Sequence, residues 1–206
     1  MNTIEVQGAL RQDLGKKATK AVRKEGKIPA VMYGGEDVLH FTTTYKDVKD
    51  LIYTADFNLA RLKIDGKDYR CIVKDVQFHP VREDIVHIDF LQLIDDTAVK
   101  VEIPVHFKGV AEGVKQGGKL QQNLRRVKVK VMPQDLVSDL WVDVTHLKMG
   151  QSVRVRDIEV PEGVEILSAM SIPVAIIEVP RALRSAEAKE AAGEAAEEAV
   201  AEEAEA

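Results

Sequence analysis

With 206 residues, 31% of them charged and only 5% aromatic, the chain is long enough for one or two domains with real cores, and no apolar run approaches the ~20 residues of a membrane-spanning helix. The formal charge of −5 belongs to the end of the chain: residues 181–206 hold eight Glu against three Lys or Arg, and the preceding 180 residues carry 26 side chains of each sign. Cys71 stands alone, which excludes a disulfide framework, and the opening MNTIEVQGALRQD lacks the basic-then-apolar order of a secretion signal, so the chain is expected to be cytoplasmic.

Residues 5–11 alternate weakly and form the first predicted strand. It leads into the most unusual stretch, residues 11–35, RQDLGKKATKAVRKEGKIPAVMYGG. Lys16, Lys20, Arg23, Lys24 and Lys27 recur at intervals of three and four and make one stripe on a helix. Leu14, Ala18, Ala21 and Val22 fall opposite, a narrow apolar strip suited to lying against a core. From Arg11 to Lys27, seven basic side chains face only Asp13 and Glu25, a local charge of +5. Gly15 and Gly26 bracket the helix, Thr19 is a candidate cap inside it, and Gly26 suits a left-handed terminal residue. Pro29 stops the helix from resuming, and residues 30–33 read as a buried strand.

Residues 38–44 form a second short strand, and Val48, Leu51 and Ile52 place a second helix over residues 45–54. Strands at 59–64 and 69–78 flank Asp65-Gly66-Lys67, a hairpin signal. Residues 79–84, with Pro80, turn the chain into a strand at 85–93. Strands wrapped around two helices make an α+β unit that is mostly β, a partly closed barrel. Asp95-Asp96-Thr97 is the expected boundary, separating a domain at 1–95 from an all-β domain at 96–180. Strands are predicted at 99–107, 127–131, 140–144, 153–155 and 174–179. The glycine-bearing stretch 109–119 lacks the Gly-Lys-Ser/Thr ending of a phosphate cradle and reads as a flexible loop. Residues 181–206, mostly Ala and Glu, are expected to be a disordered acidic tail, since they have too few large apolar side chains to bury a face.

Catalytic patterns are missing. There is no Gly-x-Ser-x-Gly, no His-Glu-x-x-His and no paired-cysteine metal spacing, so neither an enzyme nor a resident cofactor is expected. His79, His87 and Asp89 offer a two-His, one-carboxylate metal set as one reading. A surface is the other. Asp75, Gln77 and His79 alternate with Val76 and Phe78, and His87 and Asp89 alternate with Val86, Ile88 and Phe90. Paired as a hairpin, these strands put five hydrogen-bonding side chains on one face. Amide, imidazole and carboxylate groups read base edges, whereas Lys and Arg hold phosphate. A solvated charged face is the common fate of a Lys-rich helix. Beside such a sheet face, however, the helix makes a candidate RNA-binding surface.

The basic helix with Ile28-Pro29-Ala30-Val31-Met32-Tyr33-Gly34-Gly35, together with Asp75-Val76-Gln77-Phe78-His79-Pro80 and His87-Ile88-Asp89-Phe90, resembles the bacterial ribosomal proteins that bind 5S rRNA. The family is the large-subunit protein numbered twenty-five, in its long two-domain form, the general stress protein CTC. The resemblance covers nearly the whole chain, including residues 109–120 and the Glu-rich tail. It implies a first domain that is a β-barrel with helices and docks on 5S rRNA in the large ribosomal subunit. By motif position it carries RNA contact to Arg11, Lys16, Lys20, Arg23, Tyr33, Gln77, His87 and Asp89; Lys17 and Lys24 join them from the basic segment and His79 from the sheet face. Short relatives can carry arginines near Lys20 and Ala21 and a basic residue where Phe78 stands, so fewer phosphate contacts are expected here. The second domain, absent from short relatives, is left for neighbouring ribosomal proteins. A stress-regulated factor that visits the ribosome and binds another protein through that domain is the alternative reading.

Overall fold

The computed structural model describes residues 2–35, 37–95 and 97–180. Its first elements are β1 (Thr3–Leu10), α1 (Lys16–Lys24), β2 (Lys27–Tyr33), β3 (Leu39–Thr44), α2 (Tyr45–Ile52), β4 (Leu59–Ile64), β5 (Lys67–Phe78) and β6 (Ile85–Gln92). The six strands form a closed barrel in the order β1-β3-β2-β6-β5-β4, completed by parallel pairing of β1 with β4. Closure removes the open edges that a six-stranded sheet would otherwise expose. The β4–β5 hairpin is tight because Asp65 and Gly66 take positive φ values of 49° and 79°, the left-handed pair that matches strand twist. Gly8 permits another close approach: a Cβ there would sit 2.7 Å from the Phe41 ring.

The barrel is filled from within by alternating residues. Phe41 and Phe90 meet with ring centroids 5.7 Å apart, surrounded by Val6, Met32, Leu62 and Ile88. Helix α2 adds Val48 and Leu51 to the same core. All buried members of this core lie between residues 6 and 90. Cys71 belongs to it, with its Sγ 3.3 Å from Met32 Sδ, and burial pushes its thiol pKa up to about 12. Iodoacetamide at pH 8 should therefore leave Cys71 unmodified in the native chain and alkylate it on denaturation. Rapid native labelling would contradict the buried placement.

Helix α1 differs from the expected packing. It buries none of its residues: Ala18 and Val22 are half-covered, while Leu14 and Ala21 are exposed. Thr19 Oγ1 donates back to the carbonyls of Gly15 and Lys16 rather than capping the amino end. Gly26 does take the left-handed conformation expected of it, with φ of 75°. The helix lies on the outside of the barrel, and Arg23 Nε donates to Val86 O of β6 at 3.1 Å. Its cations are thus presented outward.

The later elements are β7 (Val99–Lys108), α3 (Glu112–Lys115), β8 (Lys119–Gln122), β9 (Arg126–Val131), β10 (Leu140–Asp143), β11 (Ser152–Arg154), β12 (Val164–Ile166) and β13 (Pro173–Glu178). They form a four-stranded sheet, β10-β7-β9-β12, and a three-stranded sheet, β11-β13-β8. In β9, Val127, Val129 and Val131 are buried and alternate with exposed Arg126, Lys128 and Lys130, as the sequence predicts. Lys128 and Lys130 pair with Glu102 and Glu165 at 3.7 and 3.5 Å. The stretch 109–119 is tied down rather than loose. It contains α3, the Gly113 amide donates to Leu147 O at 2.9 Å, and the Gly118 amide donates to Gly113 O at 2.8 Å. Those amides are committed to the chain itself, so they cannot cradle a phosphate.

The described residues gather into two compact units. One runs to Val105 and includes Arg126–Leu140 and Val160–Ser168; the other holds His106–Arg125, Trp141–Glu159 and residues 169–180. The acidic tail expected at 181–206 lies outside the described residues.

Candidate nucleic-acid interface

The outer surface of the barrel acquires its polar face from strand register. On β6, Ile88 and Phe90 point inward and are buried, so His87 and Asp89 point outward. On β5, Gln77 pairs with His87 and Asp75 with Asp89. On β2, Val31 lies beside Asp89, and on β3 His40 lies beside Val31. The Arg11 amide then donates to His40 O at 3.0 Å. One lateral row therefore reads Arg11, His40, Val31, Asp89, Asp75. The next contains Thr42, Pro29, His87 and Gln77. Pro29 is buried between buried neighbours, consistent with α1 packing over β2 at this point.

Within this face His87 Nδ1 lies 2.6 Å from Asp89 Oδ1, with both side chains partly exposed. The two groups touch without the in-line geometry of a ring N–H hydrogen bond, so the contact is one of charge and proximity and leaves His87 Nδ1 without a hydrogen-bond partner. Tyr33, half-buried at the end of β2, has its phenol pKa pushed up first by burial and then by the Asp89 and Asp75 carboxylates. It stays a neutral hydroxyl, able to donate and accept. Acceptors and donors thus alternate over a small area, which is the chemistry that base edges require.

The cations lie on α1. Lys16, Lys17, Lys20 and Lys24 are all exposed, and among the described residues none is paired with a carboxylate. Arg23 has its Nε committed to β6, so it anchors the helix beside His87 as well as carrying charge. Lys27, the last member of the stripe, is engaged by Glu25 at 3.3 Å.

Of the residues singled out from sequence, the barrel brings Arg11, Tyr33, Gln77, His87 and Asp89 onto its outer surface and the lysines and Arg23 onto α1. His79 is placed differently. It follows the end of β5, and its Nδ1 accepts the amides of Val81 and Arg82, both at 3.3 Å, which stabilises the turn. Four polar side chains of the β5–β6 pair, not five, share the face. The trio His79, His87 and Asp89 is not gathered as a metal set, because the His79 Nδ1 serves the turn beyond β5 while His87 and Asp89 stay on the sheet face. A register irregularity between Gln77 and Phe78 also turns Phe78 outward, 46% exposed, where it meets Tyr53 at 6.5 Å. His40 was not singled out from sequence. Its signal is the alternation in Leu39-His40-Phe41-Thr42-Thr43, which puts His40 opposite in direction to buried Phe41.

Two family models match the chain: the ribosomal L25p family over residues 6–90, and the C-terminal domain of ribosomal protein TL5 over residues 98–181. Similar curated proteins include the large ribosomal subunit protein bL25 of Cytophaga hutchinsonii, 42% identical over 91% of this chain and 97% of its own length. The protein of the same name from Parabacteroides distasonis is 42% identical over 92% of this chain and all of its own length. That from Bacteroides fragilis is 41% identical over 91% and 98%.

Proposed function

The chain belongs to the ribosomal L25p family, and from that membership and the outer face of its barrel we propose that it is a structural constituent of the large ribosomal subunit that binds 5S rRNA. Residues 1–95 form the RNA-binding domain, and residues 96–180 a second domain available to neighbouring ribosomal proteins. The observation that carries the RNA assignment is the coexistence of two chemistries on one barrel. Exposed lysines of α1 supply charge without sequence information, and the Tyr33, Gln77, His87 and Asp89 groups supply paired donors and acceptors. An electrostatic surface alone would bind any polyanion; a polar sheet face alone would bind RNA weakly.

Salt dependence separates the two contributions. With four to six phosphates reached from Arg11, Lys16, Lys17, Lys20, Arg23 and Lys24, the log–log slope of 5S rRNA affinity against salt should be about −3 to −5. Lys20→Ala should make it shallower by about one unit and weaken cognate and unrelated RNA by similar factors. A slope near zero for the intact chain, measured by filter binding between dilute and physiological salt, would remove the α1 stripe from the interface.

A further inference from the structure

Four nitrogen atoms on the outer face make no hydrogen bond; one is His87 Nδ1, which has the Asp89 carboxylate beside it, and the other three have no such neighbour among the described residues. Arg11 Nε, Arg11 Nη1 and His40 Nδ1 are each shielded from solvent and accept or donate no hydrogen bond among the described residues. The two side chains belong to adjacent strands, and the main-chain bond from Arg11 N to His40 O fixes their positions side by side. Both have the outward direction, since Leu10 and Phe41, their chain neighbours, form the register pair that precedes them. A guanidinium does not lose its proton in a protein, so its N–H groups remain donors whatever surrounds them. Leaving such donors covered and unpaired is unfavourable, and no described residue pairs with them. An acceptor brought by a bound partner would relieve that cost.

We propose that Arg11 and His40 together hold one phosphodiester of the bound RNA, an inference that rests on the RNA-binding reading given above. A phosphodiester fits because its oxygens only accept, can take several hydrogen bonds at once and carry the charge that matches the guanidinium. His40 contributes through Nδ1–H. The lateral row explains the orientation. Arg11 and His40 stand at one end and the Asp89 and Asp75 carboxylates at the other, with two strand spacings, about 10 Å, from His40 to Asp89. A nucleotide laid across the row places its backbone at the cationic end and its base at the end where carboxylate and imidazole accept and donate. Both side chains remain partly exposed, and the rotamer adjustment needed to meet the phosphate is of the kind interface residues commonly make.

The test is a double-mutant cycle on the full chain, with a 5S rRNA transcript as the probe and an unrelated RNA of equal length as the control. His40→Ala should weaken 5S rRNA binding about five-fold, the scale of one charge-assisted hydrogen bond lost at a partly wet interface. It should not lower the melting temperature, because the atom removed has no partner in the free protein. In an Arg11→Ala background the same substitution should cost less than about two-fold, because the two residues share one ligand group. Phosphate-ethylation interference should reveal one linkage whose modification weakens the native chain but not the double variant. An inert His40→Ala, equal losses in both backgrounds, or identical interference patterns would each overturn the shared contact. If the native chain shows no preference for 5S rRNA over the control, the functional reading fails and the contact falls with it. Preference by the native chain with an inert His40→Ala removes the contact alone.

Discussion

Phe90→Ala is expected to destabilise the barrel by about 3–5 kcal/mol, the usual cost of emptying a buried phenylalanine site. Phe90 is fully buried, packs against Phe41 at 5.7 Å between centroids, and sits on β6 immediately after Asp89. The cavity would lie at the centre of a closed barrel, where collapse requires six paired strands to move together, so relaxation offsets little of the loss. Domains of this size have roughly 5–15 kcal/mol of stability in total, so the loss would consume a large share of it. Urea denaturation gives the difference directly. Val81→Ala, at a side chain 83% exposed, serves as the control and should change stability by no more than about 0.5 kcal/mol. A Phe90→Ala loss of under about 1 kcal/mol would mean that the side chain is not where the barrel core places it.

Asp89→Asn is expected to weaken 5S rRNA binding by about 1–3 kcal/mol, the range for one good base contact, even though it removes a negative charge from the face proposed to meet a polyanion. A carboxylate facing RNA is repelled unless it accepts hydrogen bonds from base amino or imino groups. Asp89 also orients His87 through the 2.6 Å contact, so the amide loses both the outward acceptor character and the charge that holds the imidazole. Stability should move the other way. Asp89 stands directly across from Asp75 in the β5–β6 register, and like charges directly opposite are unfavourable. The variant should therefore melt no lower than the native chain while binding cognate RNA more weakly. Unrelated RNA should bind equally or slightly more tightly. If Asp89→Asn tightens both RNAs alike, Asp89 is only a tolerated surface charge and the base-reading face is misassigned.

The barrel was legible in the sequence because its elements carry strong local signals. Val48, Leu51 and Ile52 mark α2, Asp65-Gly66 dictates a left-handed two-residue turn, and the His87 and Asp89 alternation fixes which side of β6 faces out. What was not legible depends on partners distant in sequence. That the barrel closes rests on the parallel β1–β4 pairing, which no local pattern announces. The outward turn of Phe78 follows from a register irregularity that strict alternation cannot foresee. His79 looks like a strand residue by spacing, yet its Nδ1 is drawn to the amides of the following turn. β8 and β12 are four and three residues long and were missed, because each takes its place from pairing with β13 or β9 rather than from a pattern of its own. Arg11 was legible as a cation; its unpartnered state beside His40 emerges only when β1 and β3 are laid side by side.

The central claim is that RNA recognition resides in the barrel, whose cluster of buried core residues runs from Val6 to Phe90. A fragment of residues 1–95 should fold by circular dichroism and bind a 5S rRNA transcript nearly as tightly as the full chain, with unrelated RNA of equal length bound far more weakly. A fragment that is folded and yet shows no preference for 5S rRNA, while the full chain retains it, would contradict the claim.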